Sequence, residues 1–215
     1  MLDARLLAAA GLLGPCELFV DVGANHGFLG AYMLRAGLCG RALLTDISAS
    51  ALERARRTLA EEGLEDRAEL LVQDGLQGLR LGPKDGVAVC GMGARTILHI
   101  LQGGLPCRAV LQPNVELARL RVQLASASMR IRDERIASSG GRFYVLLLAE
   151  PGREERPYTQ REALLGRFWT KDPLAEPYLA WRRAVAKAAL EGALQGKDEE
   201  KLRRARLEWE ALTDL

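Results

Sequence analysis

No run of apolar residues in this 215-residue chain approaches the roughly 20 that a helix needs to cross a bilayer. A membrane-spanning protein is therefore not expected. The opening stretch MLDARLLAAAGLLG carries an acid ahead of its base and reads as an amphipathic helix rather than a cleaved signal, so the expected compartment is the cytoplasm. Cysteine is sparse. Cys16, Cys39, Cys90 and Cys107 form no CxxC pair and have no histidine at metal-ligand spacing, which predicts reduced thiols, mostly in the core, and no metal. The net charge of +2 is too small to announce a nucleic-acid binder by itself. Basic surface has to come from local clusters: Arg54, Arg56 and Arg57; Arg119, Arg121, Arg130 and Arg132; and Arg182, Arg183, Lys201, Arg203, Arg204 and Arg206. Acids interleave with all of them, which also suits ordinary solvated helix faces.

What is present is the balance of a folded chain, 48% hydrophobic and 27% charged, long enough for one main domain and an appendage. Short aliphatic runs alternate with amphipathic segments, the pattern of βαβ units. Strands are predicted at 18–23, 41–46, 68–74, 86–92 and 108–114, with helices in the gaps, among them 27–36, 48–62 and 115–126. Ser50 and Glu53 have capping-box spacing, and Gly63 suits a helix end. The runs MRIRDERIAS and RFYVLLLAE, joined by Gly140 and Gly141, predict a hairpin. This ending resembles the seven-stranded α/β sheet of class I methyltransferases, a Rossmann-like fold whose last strand inserts antiparallel between its neighbours.

After Pro151 a proline-rich, charged segment with one possible helix leads to a second unit. Tyr178, Trp181, Val185, Ala188 and Gly192, then Leu202, Ala205, Trp209 and Leu212, step by three and four. The polar turn between them predicts an antiparallel, coiled-coil-like helical hairpin with Asp198 as an N-cap and Trp181 and Trp209 as anchors; one long helix is the alternative.

Ligands of open α/β sheets sit at the carboxyl ends of the strands. The first such end, DVGANHGFLG, fails the dinucleotide fingerprint G-x-G-x-x-G, because positions 23, 25 and 28 are Gly23, Asn25 and Phe28. What remains, Asp21 with glycines at 23 and 27, resembles the loop of methyltransferases that approaches the methionine part of S-adenosylmethionine (SAM). Asp46 ends the second strand, where a carboxylate can accept from ribose hydroxyls. Asp74-Gly75 ends the third, where the acid can meet the adenine amine and the glycine leaves room for the ring. Each acid alone serves equally as a turn or cap residue; three at successive strand ends point to a site. CGMGARTIL ends the fourth strand and offers backbone at Gly91, Met92 and Gly93 rather than a nucleophile. LQPN ends the fifth, and Asn114 has the donor and acceptor to read an adenine edge, or to cap the following helix. His26 stands in the glycine loop; His99 falls in a predicted helix and reads as structural.

These motifs together resemble the TrmK family of bacterial tRNA adenine-N1 methyltransferases, along nearly the whole chain. The resemblance implies methyl transfer from SAM to N1 of adenine 22 in tRNA, leaving S-adenosylhomocysteine. It implies that Asp21, Gly23, Ala24, Asn25, His26, Asp46, Ile47, Asp74 and Gly75 hold SAM, and that Asn114, Gly91, Met92, Gly93 and His26 handle the acceptor. The composition shifts divide the chain into a methyltransferase domain (1–152), a connecting segment (153–177) and a helical hairpin (178–215), and a monomer is favoured, though the sequence leaves the oligomeric state open. Asn25 stands where the family carries an acid, Gly27-Phe28 where it carries Ala-Tyr, Gly30 where it carries Pro, and Ala94 where it carries glycine. The residues alone leave open another acceptor, or a non-catalytic module that binds SAM or RNA.

Overall fold

The computed structural model describes residues 2–168 and 171–213. The expected domain limits at 1 and 215, and residues 169–170 of the connecting segment, lie outside them. Helix α1 (Ala4–Leu13) is capped by Asp3, whose carboxylate accepts from the Arg5 N–H. Alternation then begins with β1 (Cys16–Val22), α2 (Phe28–Arg35), β2 (Cys39–Asp46), α3 (Ala49–Glu61) and β3 (Ala68–Val72). It continues with β4 (Gly86–Gly93), α4 (Ala94–Ile100), β5 (Arg108–Val115) and α5 (Leu117–Ser126). All five expected strands are present. The gap between β3 and β4 holds turns instead of the expected helix, because Gly75 and Gly78 take positive φ there and Pro83 follows. Ser48, rather than Ser50, caps α3: its hydroxyl accepts from the Ala51 N–H, and Ser50 lies inside the helix.

The hairpin strands β6 (Met129–Ser139) and β7 (Arg142–Pro151) turn at Gly140-Gly141, both with the positive φ that a two-residue turn between twisted strands requires. The sheet order is β3-β2-β1-β4-β5-β7-β6. β7 runs antiparallel between β5 and β6; β3, β2, β1, β4 and β5 are mutually parallel. Strand order therefore reverses between β1 and β4, opening a crevice at their carboxyl ends.

Parallel strands covered on both faces need apolar residues at consecutive positions. In β1, Phe19 packs with α1, α2 and α3, while the next residue, Val20, packs with α4 and α5; both are wholly buried. Each such side chain stabilises the fold by about 1.5–3 kcal/mol.

The connecting segment carries α6 (Gln160–Leu165), opened by a Thr159–Glu162 capping box. Its carboxylates protect the outer strand: the Ile131 N–H donates to Glu154 (2.7 Å) and the Ile136 N–H to Asp172 (2.8 Å). Arg121 is a correction to the expected basic surface. It is fully buried on α5, forks onto Glu134 of β6 at 3.0 and 2.7 Å, and donates to the Ala163 and Leu164 carbonyls.

Helices α7 (Ala175–Leu194) and α8 (Glu199–Thr213) form the hairpin, and the Lys201 N–H donates to Asp198 at 2.9 Å. The seam is rotated from the expected one. Leu179 and Ala186 pack with Leu165 and Leu212, with Trp209 against them, whereas Val185 is exposed and Trp181 faces elsewhere. No described helix is long and apolar enough to cross a membrane.

Candidate active site

A cavity of about 1290 Å3 opens at the crevice where strand order reverses. Of the residues expected from the motifs, Asp21, Gly23, Ala24, Asn25, His26, Gly91, Met92 and Asn114 line it. Gly93 follows directly as the N-cap of α4. Asp46 and Ile47 sit beside this cavity at the end of β2, outside its lining, and Asp74 lines a second cavity of about 580 Å3 together with His99. Gly75 is in a left-handed turn, with Ile100 against it.

The glycine loop after β1 uses left-handed backbone. Gly23 has φ +70°, a conformation glycine takes freely, and the end of the Met92 side chain occupies the place a Cβ would take. Asn25 is left-handed at φ 50°, a conformation asparagine tolerates. Its Oδ1 accepts from Arg54 at 2.6 Å and its backbone N–H donates to Asp46 at 3.2 Å. The amide thus gives Arg54 the acceptor an acid would give. Asp46 also accepts from the Ser48 N–H at 2.9 Å, and an ionised carboxylate has about four acceptor positions, so about two stay open. Ile47, next to it, is 75% exposed. His26 is exposed, its ring stacked on Phe28 with centroids 5.2 Å apart.

Burial pushes the Asp21 carboxyl up to about 7; Asp46 adds to the rise, while a hydrogen bond from the Gly30 backbone and the Arg5 guanidinium oppose it. Cys90 is raised by burial to about 12 and stays a thiol. The four cysteines are free, and among the described residues no group of three or more His, Cys, Asp or Glu side chains could hold a metal.

The ends of β4 and β5 are joined through a residue the motifs did not single out. Gln112 is wholly buried in β5 and uses its whole amide: Oε1 accepts from Arg5 (2.7 Å) and the Gly91 N–H (3.1 Å), and Nε2 donates to the Pro113 carbonyl (2.9 Å) and Asn114 Oδ1 (3.1 Å). Asn114 Nδ2 in turn donates to the Gly91 carbonyl at 2.8 Å. Asn114 is therefore not a helix cap; α5 starts three residues later, after Glu116 in a left-handed conformation. A glutamine inside an otherwise apolar strand is the signal for this hub, since a buried amide demands partners. Arg5 is supplied by α1, far away in sequence.

The cavity continues to the hairpin, where Arg142, Phe143, Tyr178, Trp181 and Arg182 line it. It thus exceeds the roughly 300–1,000 Å3 usual for one small-molecule site.

Comparison with known proteins follows this geometry. A curated relative, tRNA (adenine(22)-N(1))-methyltransferase of Bacillus subtilis, is 26% identical over 193 residues, covering 86% of this chain and 81% of that protein. The crystal structure of the B. subtilis M1A22 tRNA methyltransferase TrmK superposes with a TM-score of 0.84 at 24% identity, over 100% of this chain and 98% of that one. A putative tRNA (m1A22) methyltransferase of Streptococcus pneumoniae, solved with S-adenosyl-L-methionine, gives 0.85 at 23% identity, over 100% and 99%. These likenesses establish the fold as the class I methyltransferase sheet. The profile of the methyltransferase domain family matches residues 2–147, most of the chain and every strand-end motif described above, so the protein belongs to the methyltransferase domain family.

Proposed function

We propose that this chain methylates N1 of adenine 22 in tRNA with SAM as donor, as a monomer in the cytoplasm. The observation that carries the reading is one continuous cavity joining the glycine loop of β1 to the helical hairpin, in a chain alike in fold to tRNA (m1A22) methyltransferases along its whole length. The residues at the crevice fit SAM. Gly23 and Asn25 line the cavity with left-handed backbone, Asp46 keeps acceptor positions for two ribose hydroxyls, and exposed Ile47 offers an apolar surface for the adenine ring. Asp74, which lines the second cavity, is the residue for the adenine amine; at Gly75 the place of a side chain is taken by Ile100, so that glycine serves the turn. Residues 1–152 form the catalytic domain and 178–215 an RNA-holding arm.

SAM supplies a sulfonium methyl group. Adenine N1 already carries a lone pair, so accepting that methyl group would need no prior deprotonation, only the alignment and exclusion of water that these residues would provide. Positive charge moves onto the base. Asn114 and the Gly91-Met92-Gly93 backbone orient the adenine, His26 stands beside it, and the Asn114 amide and nearby carbonyls face the growing charge.

The test is methylation of unmodified tRNA, mapped by reverse-transcription stops. A stop at adenine 22 is expected; SAM binding without transfer to any tRNA overturns the reading. Asp46→Ala should weaken SAM binding by about 1–3 kcal/mol, measured by calorimetry; unchanged affinity would take the ribose away from Asp46.

Asp21 makes a pH prediction. Its folded pKa is raised above the ordinary carboxylate range to about 7, so its contribution to stability is complete below that range and is lost as pH rises toward 7. Binding of the ammonium group of SAM favours the ionised form, so the sign for affinity is opposite. SAM affinity should fall by up to about tenfold per pH unit below 7, and Asp21→Asn should flatten the profile. A flat wild-type profile between about pH 5.5 and 7 would remove Asp21 from the ammonium group.

A further inference from the structure

The far wall of the cavity is aromatic and is made by two separate elements. Phe143 comes from the start of β7; Tyr178 and Trp181 come from the first turns of α7. The Phe143 ring lies 5.9 Å from Tyr178 and 5.7 Å from Trp181, and the latter two rings are 6.1 Å apart. The wall is fixed from behind. Tyr178 is 3% exposed, its hydroxyl accepts from Arg182 at 2.8 Å, and Arg182 also donates to Glu208 of α8 at 2.7 Å. Trp181 differs: it is 38% exposed and contributes to the cavity instead of the hairpin seam, which Leu179, Ala186 and Leu212 close without it.

Trp181 adjoins Phe143 and Tyr178, and a contiguous aromatic patch inside a cavity is the kind of apolar surface that marks a ligand site. The wall belongs to the same cavity as Gly23 and Asn114, whose size leaves room beyond one cofactor. Arg142 places a cation at the same wall, suited to the phosphate of a nucleotide. A base taken out of a folded RNA has lost its stacking neighbours and gains most from an aromatic face.

We propose that the Phe143–Trp181 wall is the stacking subsite for the extruded acceptor adenine, so that the hairpin forms part of the acceptor pocket itself as well as an arm that grips RNA. The proposal rests on the tRNA reading above. Trp181 is then a substrate-binding residue that holds the adenine plane while Asn114 reads its edge.

Steady-state methylation of unmodified tRNA and calorimetry with SAM test it. Trp181→Ala should lower kcat/KM for tRNA about tenfold or more with SAM affinity unchanged, Trp181→Phe should restore most of it, and Trp181→Leu should not. The same tRNA with 2-aminopurine at position 22 should show quenched fluorescence when bound to the wild type and bright fluorescence with Trp181→Ala. A wild-type kcat/KM in Trp181→Ala, rescue by leucine equal to that by phenylalanine, or equal fluorescence in both proteins would overturn the subsite. If Trp181→Ala also loses SAM binding, the phenylalanine and leucine variants and the fluorescence decide. Absence of methylation by the wild type sinks the tRNA reading and the subsite with it; wild-type methylation with an indifferent Trp181 sinks the subsite alone.

Discussion

Glu134→Ala is expected to destabilise the protein by about 3–5 kcal/mol, read as a shifted midpoint in urea or guanidinium unfolding. The side chains of Arg121 and Glu134 are 0% and 1% exposed, so no water can replace the lost carboxylate. The guanidinium would keep its bonds to the Ala163 and Leu164 carbonyls but leave two donors, which now form a fork with Glu134, without an acceptor. Against a total stability of about 5–15 kcal/mol for a typical domain, the loss is large. Arg121→Met with Glu134→Leu should lose less than Glu134→Ala alone, because it removes both charges together. A single-variant loss under about 1 kcal/mol would show that the site relaxes to admit water.

Asn114→Ala is expected to lower the rate of methyl transfer by about a hundredfold while leaving SAM affinity within about twofold, as judged by single-turnover assays and calorimetry. Two consequences combine. The reading group is lost, and the Gly91 carbonyl loses the bond that ties the end of β4 to the end of β5. Cofactor affinity is spared because the donor loop is held from the other side, by Asp46, Thr45 and Arg54. An unchanged transfer rate would take Asn114 out of acceptor handling, and weakened SAM binding would move its role to the donor side.

The strands were legible because buried parallel strands must be aliphatic at consecutive positions and end in glycine or acid where the chain turns toward a ligand. The motif ends at Asp21, Gly91 and Asn114 met in one crevice because parallel strands share one carboxyl end, while Asp46 stayed beside that cavity and Asp74 fell in the second. What was hidden is cross-element. Arg121 counts as a basic helix residue until β6 brings Glu134 to it. Asn114 has the composition of a cap, but β5 runs on through Val115 and Glu116 takes the cap position. The three-four stepping of the hairpin assumed that each helix packs only on the other. Tyr178 instead joins the sheet's core, which turns Trp181 to the cavity and moves the seam to Leu179 and Ala186. Gln112 was readable as a polar residue in an apolar strand, but its partner Arg5, 107 residues away, was not.

The position of β7 has a consequence for the order in which the chain is made. The strand between β5 and β6 is the last of the three to leave the ribosome, so β6 has no partner, and β5 is paired only to β4, until residues 142–151 have emerged. Both edges stay open to other chains during that interval. The carboxylates that finally shield the outer strand, Glu154 and Asp172, come later still. The sheet therefore closes from its most recently synthesised part, and a nascent chain halted before β7 holds the strand-end motifs of all five parallel strands without the Phe143 wall of the cavity.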